Sequence, residues 1–301
     1  MILRSDLPEV WVIFGPTASG KSGAAVAIAE ALGGEIINAD SRQTYEKMPI
    51  ITAVPMLEER NGLPHHLFEF VDPAERMSAA QWAGMAEKTI ENVLQKGGVP
   101  VVVGGTGLYL RTLMEGLSEV PAVPTAVEEE FRGQPVDELY RQLMEVDAVL
   151  AEKLHPSDTQ RITRGLVVYT HTGTPLSEWQ AMPGRVPPYR FRKLALSPER
   201  ELLYARIEKR WGQMVEMGVV EEIRALKDEG YTLDMPGLQG LGIAEIFDFL
   251  AGQLSFEEAG LVVVQGTRHY AKRQVTWLRN SYGAEREFGS AGELMDFVKS
   301  A

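Results

Sequence analysis

A glycine-rich segment near the amino terminus carries the residues best suited to chemistry. Residues 15–22 read GPTASGKS and match the phosphate-binding signature G-x-x-x-x-G-K-[ST]. In such a loop, backbone N–H groups and the positive end of the following helix hold phosphate oxygens. Lys21 would supply a point charge, and the Ser22 hydroxyl could ligate Mg²⁺. The signature predicts a phosphate binder, but it leaves open whether the phosphate belongs to ATP or to another compound.

The elements that must position this loop can be read from the local pattern. The apolar run at residues 10–15 predicts a buried strand, and the Ala-rich segment 21–32 predicts a helix that ends at two glycines. Residues 35–40 and 99–107 predict two further strands, with a capping box at Ser78 opening a helix between them. This alternation predicts an α/β fold in which helices flank a parallel, P-loop NTPase-like sheet that binds ligands at the carboxyl ends of its strands.

The pattern changes after about Pro121. The following segment lacks strand-like runs and has helical spacing, and a returning strand is predicted at residues 192–198. We therefore predict a catalytic core formed by residues 1–121 and 192–301, interrupted by an all-helical insertion domain of residues 122–191.

Composition limits the classes of protein. The chain has 301 residues, no cysteine and a formal net charge of −12. Disulfides and thiolate metal sites are thereby excluded, and a cytoplasmic location is expected. The amino-terminal residues do not read as a signal peptide, and no apolar run approaches the ~20 residues that a membrane helix requires. The negative charge argues against general nucleic-acid affinity, but basic runs at 185–193 and 267–280 keep a local RNA-binding surface open.

Strand-end residues bear on the fate of the phosphate. An ATP-consuming enzyme would carry an acid at the end of a nearby strand to hold Mg²⁺. The third predicted strand instead ends in Gly104, Gly105 and Thr106, and the acid that does end a strand is Asp40. Adjacent His65 and His66 diverge on any regular backbone and are not predicted to bind metal. A nucleotide-hydrolysing motor is therefore disfavoured.

The sequence resembles the tRNA dimethylallyltransferases, also called tRNA isopentenyltransferases. The motifs that carry the resemblance run in order along nearly the whole chain: GPTASGKS at 15–22, DSRQTY at 40–45, PHHLFEFVDP at 64–73, VVGGTGLYLRTLMEGL at 102–117, LHPSDTQRITRGLVVY at 154–169, TGTPLS at 172–177, RIEKRWGQMVEMGVVEEI at 206–223 and TRHYAKRQVTWLRN at 267–280. The resemblance implies transfer of the dimethylallyl group from dimethylallyl diphosphate to the exocyclic amine of the adenosine beside the anticodon. It implies Mg²⁺ as cofactor and the tRNA anticodon stem-loop as partner. No membrane partner is expected, and we expect a monomer.

The resemblance also implies roles for individual residues. Asp40 would be the base that takes the proton of the adenine amine, with Thr106 beside the amine and Lys21 on the diphosphate. The diphosphate would be held by Gly15, Pro16, Thr17, Ala18, Ser19, Gly20, Lys21, Ser22, Arg206 and Arg210, with Ser22 on the Mg²⁺. The tRNA would be contacted by Asp40, Ser41, Arg42, Gln43, Thr106, Gln160, Arg161, Ile162, Thr163 and Arg164.

Structural explanations stay open for these residues. Asp40 could cap a following helix, and Thr106 could be a loop residue bonded to backbone. Arg206 and Arg210 could form surface ion pairs with residues such as Glu208. Arg161 and Arg164, one helical turn apart, could do the same in the insertion domain.

Two segments depart from the family pattern. A usual Gly and Lys are replaced by Ile51 and Val54, and a usual Tyr and basic residue are replaced by Ile243 and Ala244. Two positive charges are therefore missing. Three alternative functions remain: a P-loop nucleotide kinase or NTPase, an isopentenyltransferase acting on free AMP, and a non-catalytic RNA-binding relative.

Overall fold

The computed structural model describes residues 7–116, 120–121, 123–182, 187–281 and 283–300; for residues 125 and 279–281 it describes the backbone only. The described chain divides into two compact units, residues 1–114 with 188–301, and residues 115–187. The sequence placed these boundaries at 121/122 and 191/192. Residue 122 lies outside the described residues.

The first unit is built on a six-stranded sheet in the order β3-β2-β4-β1-β5-β6, and every pair of neighbours is parallel. The strands are β1 (Glu9–Phe14), β2 (Gly34–Asn38), β3 (His65–His66), β4 (Val99–Gly104), β5 (Arg190–Leu196) and β6 (Arg286–Phe288). The predicted returning strand begins two residues earlier than expected. The α/β class predicted from the sequence is confirmed.

Helices of the first unit pack on both faces of the sheet, and the second unit is helical. Those of the first unit are α1 (Lys21–Leu32), α2 (Pro49–Thr52), α3 (Ala79–Gln95), α4 (Gly107–Glu115), α10 (Arg200–Glu216), α11 (Val219–Asp228), α12 (Ile243–Leu250), α13 (Phe256–Ser281) and α14 (Ala291–Ser300), and those of the second unit are α5 (Thr125–Glu129), α6 (Val136–Val146), α7 (Ala148–Ala151), α8 (Thr159–Thr172) and α9 (Leu176–Ala181). The predicted capping box forms at the start of α3, where the Ser78 side chain accepts from Gln81 N–H.

Alternating side chains of the strands pack into two hydrophobic cores, one on each face of the sheet. Val10, Val12 and Phe14 of β1 pack on the side that holds Trp82 of α3. Trp11 and Ile13 pack on the opposite side, against the apolar face of α1. Burial on both faces explains why β1 reads as a continuous apolar run rather than an alternating one.

The second unit has its own core. Leu139 and Leu143 of α6 and Ile162 and Leu166 of α8 are buried together. A Cβ at Gly165 would lie 2.7 Å from the Leu143 side chain, so glycine at this position lets α6 and α8 approach closely. The described part of this unit contains helices and turns and no strand.

Candidate active site

Three neighbouring strands deliver the predicted catalytic residues to one edge of the sheet. In the order β2, β4, β1, the strands are followed by Asp40, Thr106 and the phosphate loop, respectively. Since the strands are parallel, their carboxyl ends lie at the same edge. Close backbone approach reinforces this arrangement, because a Cβ at Gly104 would overlap the backbone of Ala39.

The phosphate loop has the tight backbone that its glycines predict. Ala18 and Gly20 both have positive φ, at 61° and 93°. A Cβ at Gly15 would overlap the carbonyl of Leu196 in β5. The Ser19 N–H donates to the Pro16 carbonyl at 3.2 Å, which closes the turn. The N–H groups left for a ligand are therefore mainly those at the start of α1, where the first helical turn has no internal acceptors.

Two arginines of α10 lie against this loop. Arg206 donates to the Ser19 carbonyl at 2.9 Å, and Arg210 donates to the Thr17 hydroxyl at 3.3 Å. The surface partner considered for them, Glu208, pairs instead with Arg268. The structure thus brings both predicted arginines to the loop, although they lie 187 and 193 residues further along the chain than their partners.

The loop lysine stands in a crowded, charged environment. Its Nζ donates to the Pro16 carbonyl at 3.3 Å. Burial lowers the pKa of Lys21 to about 8, Asp40 opposes that shift, and Arg210 adds to it. Burial likewise lowers the pKa of Arg210, again opposed by Asp40. The Asp40 carboxylate therefore interacts electrostatically with the cations of the phosphate loop.

Asp40 is held by a local turn. Its N–H donates to the Asn38 side chain at 2.8 Å, and its Oδ1 accepts from Arg42 N–H at 3.0 Å. No helix begins here, so the helix-capping explanation is wrong; the carboxylate caps a turn. Asp40 is half-buried rather than enclosed.

Thr106 joins the loop that follows β4 to the turn that contains Asp40. Its hydroxyl accepts from Ser41 N–H at 2.8 Å and donates to the Ser41 hydroxyl at 3.2 Å. The Thr106 N–H donates to the Ala39 carbonyl at 3.2 Å. Backbone bonding, the structural explanation for this threonine, is thus observed, and it also fixes Thr106 next to the Asp40 turn.

The other predicted tRNA contacts of this loop have internal partners. Arg42 donates to the carbonyls of Pro236 and Gly237 at 3.2 and 3.4 Å. Gln43 donates through its side chain to the carbonyls of Thr52 and Ala53. Both side chains stabilise the loop in this structure, and their contact with RNA stays a prediction.

Sequence reasoning missed two buried polar side chains at this edge. Asn38, fully buried at the end of β2, donates to the carbonyls of Asp40 and Leu67. Gln274 of α13, 6% exposed, contacts the phosphate loop and the loop of Thr106. An asparagine in an apolar strand was the available signal for the first. For Gln274, the only signal was its place in the motif at residues 267–280.

Two cavities adjoin the phosphate loop, and Ser22 lines both. The smaller is also lined by Lys21, Gln43 and His65 and has room for about one water molecule, at ≈ 10 Å³. The larger, of ≈ 550 Å³, lies between α1, the segment around α2 and α10, and includes Val54 and Arg210. The missing lysine of the family pattern therefore maps to a buried valine in the wall of this cleft.

The donor set suits a magnesium ion that arrives with a diphosphate. Among the residues that the structure describes, no group of three or more His, Cys, Asp and Glu side chains is placed to hold a metal. Mg²⁺ in phosphate-transferring sites is held through few protein oxygens and by the substrate phosphates. The Ser22 hydroxyl at the start of α1 fits that role.

In the second unit, the predicted tRNA contacts lie on α8. Gln160, Arg161 and Arg164 are exposed and Thr163 is half-buried, whereas the Ile162 side chain is fully buried in the core of the unit. Ile162 is therefore in the wrong place for a side-chain contact with RNA, because its apolar group packs against the other helices of the unit. Arg161 also pairs with Asp158 at 3.5 Å.

The two basic runs differ in their partners. Arg190 and Arg192 both pair with Glu9, and Arg192 also pairs with Glu285, so the first run is largely neutralised. Arg185 lies outside the described residues, as does the side chain of Arg279. The second run leaves a groove along α13 lined by His269, Lys272, Arg273, Thr276 and Trp277. No described helix is long and apolar enough to cross a membrane.

Comparison with known proteins places this site in a family. Residues 43–281 match the family model described as IPP transferase, and residues 8–67 match that described as isopentenyl transferase. The chain is 44% identical over 273 residues to a tRNA dimethylallyltransferase of Geobacter metallireducens, covering 89% of this chain and 88% of that protein. It is 43% identical to one of Parvibaculum lavamentivorans, with 95% of each chain covered.

Solved structures agree. The tRNA isopentenylpyrophosphate transferase of Bacillus halodurans superposes with a TM-score of 0.72 at 32% identity, covering 97% of this chain and 96% of that one. A eukaryotic dimethylallyltransferase acting on tRNA gives a TM-score of 0.82 at 30% identity, covering 97% of this chain and 77% of that one. The enzyme class and function predicted from the sequence are confirmed, and the chain belongs to the tRNA dimethylallyltransferase family of tRNA-modifying prenyltransferases.

Proposed function

We propose that the chain transfers the dimethylallyl group of dimethylallyl diphosphate to the exocyclic amine of A37 of tRNA, with the phosphate loop holding the leaving group and Asp40 taking the proton. The observation that carries this assignment is the placement of three functions on neighbouring strand ends: cations around the loop after β1, Asp40 after β2, and Thr106 after β4.

The loop suits a departing diphosphate. As the bond between the allylic carbon and oxygen breaks, positive charge develops on the carbon and negative charge on the leaving group. Lys21, Arg206 and Arg210 converge on the loop from two elements. The Ser19 hydroxyl is buried and lacks a hydrogen-bond partner among the described residues, and a ligand oxygen would satisfy it. Mg²⁺, held through Ser22, would neutralise further charge on the diphosphate.

Asp40 suits the acceptor half of the reaction. The new bond joins the adenine nitrogen to the allylic carbon, and the nitrogen loses a proton as the diphosphate leaves with the bonding electrons. A carboxylate within hydrogen-bond reach accepts that proton. Asp40 is half-buried, and its orientation is set by Asn38 and the Arg42 N–H. Thr106, bonded to Ser41, would face the same amine.

The target base must leave its stack in the anticodon loop to reach this edge, as in other base-modifying enzymes. We propose that the segment of residues 40–43 contacts the extruded adenosine, and that Gln160, Arg161, Thr163 and Arg164 of the second unit contact tRNA backbone. Arginines one helical turn apart on an exposed face suit successive phosphates. The insertion of residues 122–191 is accordingly proposed as a tRNA-contacting domain.

A label-transfer assay tests the assignment. The protein is incubated with labelled dimethylallyl diphosphate and Mg²⁺, and with either tRNA, free AMP, or a tRNA whose A37 is replaced by guanosine. Label is expected in the unsubstituted tRNA, and not in free AMP or in the tRNA with guanosine at position 37. Transfer to AMP at a comparable kcat/KM would favour the free-nucleotide alternative. Phosphate release from ATP in step with tRNA addition would favour a kinase or NTPase.

A further inference from the structure

One side chain of α13 joins the two loops that carry the proposed substrate sites. The Oε1 of Gln274 accepts from Thr17 N–H of the phosphate loop at 2.8 Å, and its Nε2 donates to the Gly105 carbonyl at 2.9 Å. The partners lie 257 and 169 residues away in the sequence. Both ends of the amide are therefore used, and they connect backbone segments that follow adjacent strands.

The surrounding backbone is shaped to admit this contact. A Cβ at Gly105 would lie 2.5 Å from the Gln274 amide nitrogen, and a Cβ at Gly107 would overlap the ring of Trp277. These two glycines flank Thr106. Gln274 and Trp277 are three residues apart and therefore share one face of α13. The helix thus meets the chain on both sides of Thr106: the indole ring leaves no room for a Cβ at residue 107, and a Cβ at residue 105 would displace the Gln274 amide.

The chemistry of the amide fits the position. It must accept from one backbone group and donate to another, and it must do so without adding charge beside the phosphate loop, whose Lys21 already interacts with Asp40. Glutamine is the side chain that offers one acceptor and one donor at this length in a neutral group. A carboxylate would still accept from Thr17 N–H, but its other oxygen would face the Gly105 carbonyl, and neither of these two oxygens carries a hydrogen to donate.

We propose that Gln274 is a positioning residue that fixes the phosphate loop relative to the loop of Thr106, and so sets the separation between the allylic carbon and the attacking amine. The inference rests on the proposed placement of the two substrates. Within the described part of the chain, Gln274 forms no hydrogen bond with Arg206, Arg210 or Asp40, so its loss leaves most ground-state binding in place. Reaction geometry is more sensitive: misplacement by about 1 Å can cost about 10²-fold in rate.

Three variants test the proposal. Gln274→Met keeps volume and removes both hydrogen bonds, Gln274→Glu removes one, and Gln265→Met is a matched control on an exposed part of the same helix. Single-turnover transfer is measured with saturating tRNA and dimethylallyl diphosphate, and the Kd of each substrate is measured separately. We expect transfer by Gln274→Met to slow by about 10²-fold while each Kd changes by less than about threefold. Gln265→Met is expected to match the unmodified protein.

The glutamate variant separates positioning from general structural support. A protonated carboxyl has one donor and one acceptor and can reproduce the hydrogen bonds of the amide. The single-turnover rate of Gln274→Glu, divided by that of the unmodified protein at the same pH, is therefore expected to rise as the pH is lowered. The same ratio for Gln274→Met is expected to stay constant. If the methionine variant does not fold, this ratio for the glutamate variant decides.

Two results would overturn the proposal: unchanged single-turnover rates in both Gln274 variants, or losses of both substrate affinities as large as the loss of rate. Lys21→Ala and Asp40→Asn are measured alongside. If these two also transfer at the unmodified rate, the proposed function fails. If they are slow while the Gln274 variants are fast, only the positioning role fails.

Discussion

The phosphate loop and the acceptor side, formed by the turn of Asp40 and the loop of Thr106, share one edge of the sheet. They are held in place in different ways. The phosphate loop is fixed by distant residues, since Arg206, Arg210 and Gln274 all come from helices more than 180 residues further along the chain. Asp40 itself is held by its neighbours, because it bonds with residues two positions before and after it, although the adjoining Ser41 and Arg42 also bond to Thr106 and Pro236.

Charge differs in the same way. On the phosphate side, burial lowers the pKa of Lys21 and Arg210, and the Asp40 carboxylate of the acceptor side opposes that lowering. An anionic ligand is therefore favoured on one side, and a proton can be received on the other. The two halves of the reaction can therefore be weakened separately.

Lys21→Ala is expected to have the largest effect. It removes the ammonium closest to the start of α1, where the leaving group would develop charge, and such a loss costs about 10³-fold in transfer rate. tRNA affinity should be largely unchanged, because the Lys21 ammonium is held to the phosphate loop through the Pro16 carbonyl. Label transfer and a filter-binding assay with tRNA measure the two quantities. An equal loss of tRNA binding would contradict the separation of the two sides.

Asp40→Asn should weaken the acceptor side alone. The substitution is nearly isosteric, and its carbonyl can still accept from Arg42 N–H, so both substrates should bind. Removal of a general base is expected to slow single-turnover transfer by about 10²-fold. A rate close to that of the unmodified protein would show that the base lies elsewhere, and Thr106 with a bound water would become the next candidate.

The residues of the phosphate side could be predicted from the sequence more completely than those of the acceptor side. The phosphate loop is a contiguous motif whose mechanics depend on backbone, and it lies between the strand and helix that apolar patterning predicted. The family resemblance added Arg206 and Arg210, which the structure brings to the loop. What could not be predicted was Gln274, because nothing local distinguishes a glutamine that spans two loops from one on a helix surface.

On the acceptor side and in the second unit, burial was the missing information. Asn38 was predicted only as part of a strand; it is the last residue of β2, and its side chain also orients Asp40. Ile162 was grouped with its polar neighbours as a tRNA contact, although helical periodicity turns it into the core while Arg161 and Arg164 face outward. Motif membership identifies a segment, whereas periodicity and packing decide which of its side chains are available.

The pH dependence of diphosphate binding should distinguish the phosphate side from the acceptor side. With its pKa lowered to about 8, Lys21 is charged below that pH in the free protein and loses its charge above it. Affinity for dimethylallyl diphosphate should thus weaken as pH rises through about 8, by up to tenfold per pH unit. Lys21→Arg keeps its charge and should flatten this dependence, and tRNA affinity should not follow it. Isothermal titration at several pH values measures both.

The smallest effect is expected in the second unit, from Arg161→Ala combined with Arg164→Ala. Both side chains are exposed, so the unit should keep its melting temperature, and dimethylallyl diphosphate should bind unchanged. If each contacts one phosphate, tRNA affinity should fall only a few-fold, while the slope of log K against log salt becomes shallower by about 0.7 to 0.9 for each arginine lost. Arg141→Ala is the matched control, an exposed arginine of the same unit that pairs with Glu138. A salt slope unchanged in the double variant, or reduced equally by Arg141→Ala, would mean that α8 does not read the RNA backbone, and the charge of the insertion would then serve only its own surface ion pairs.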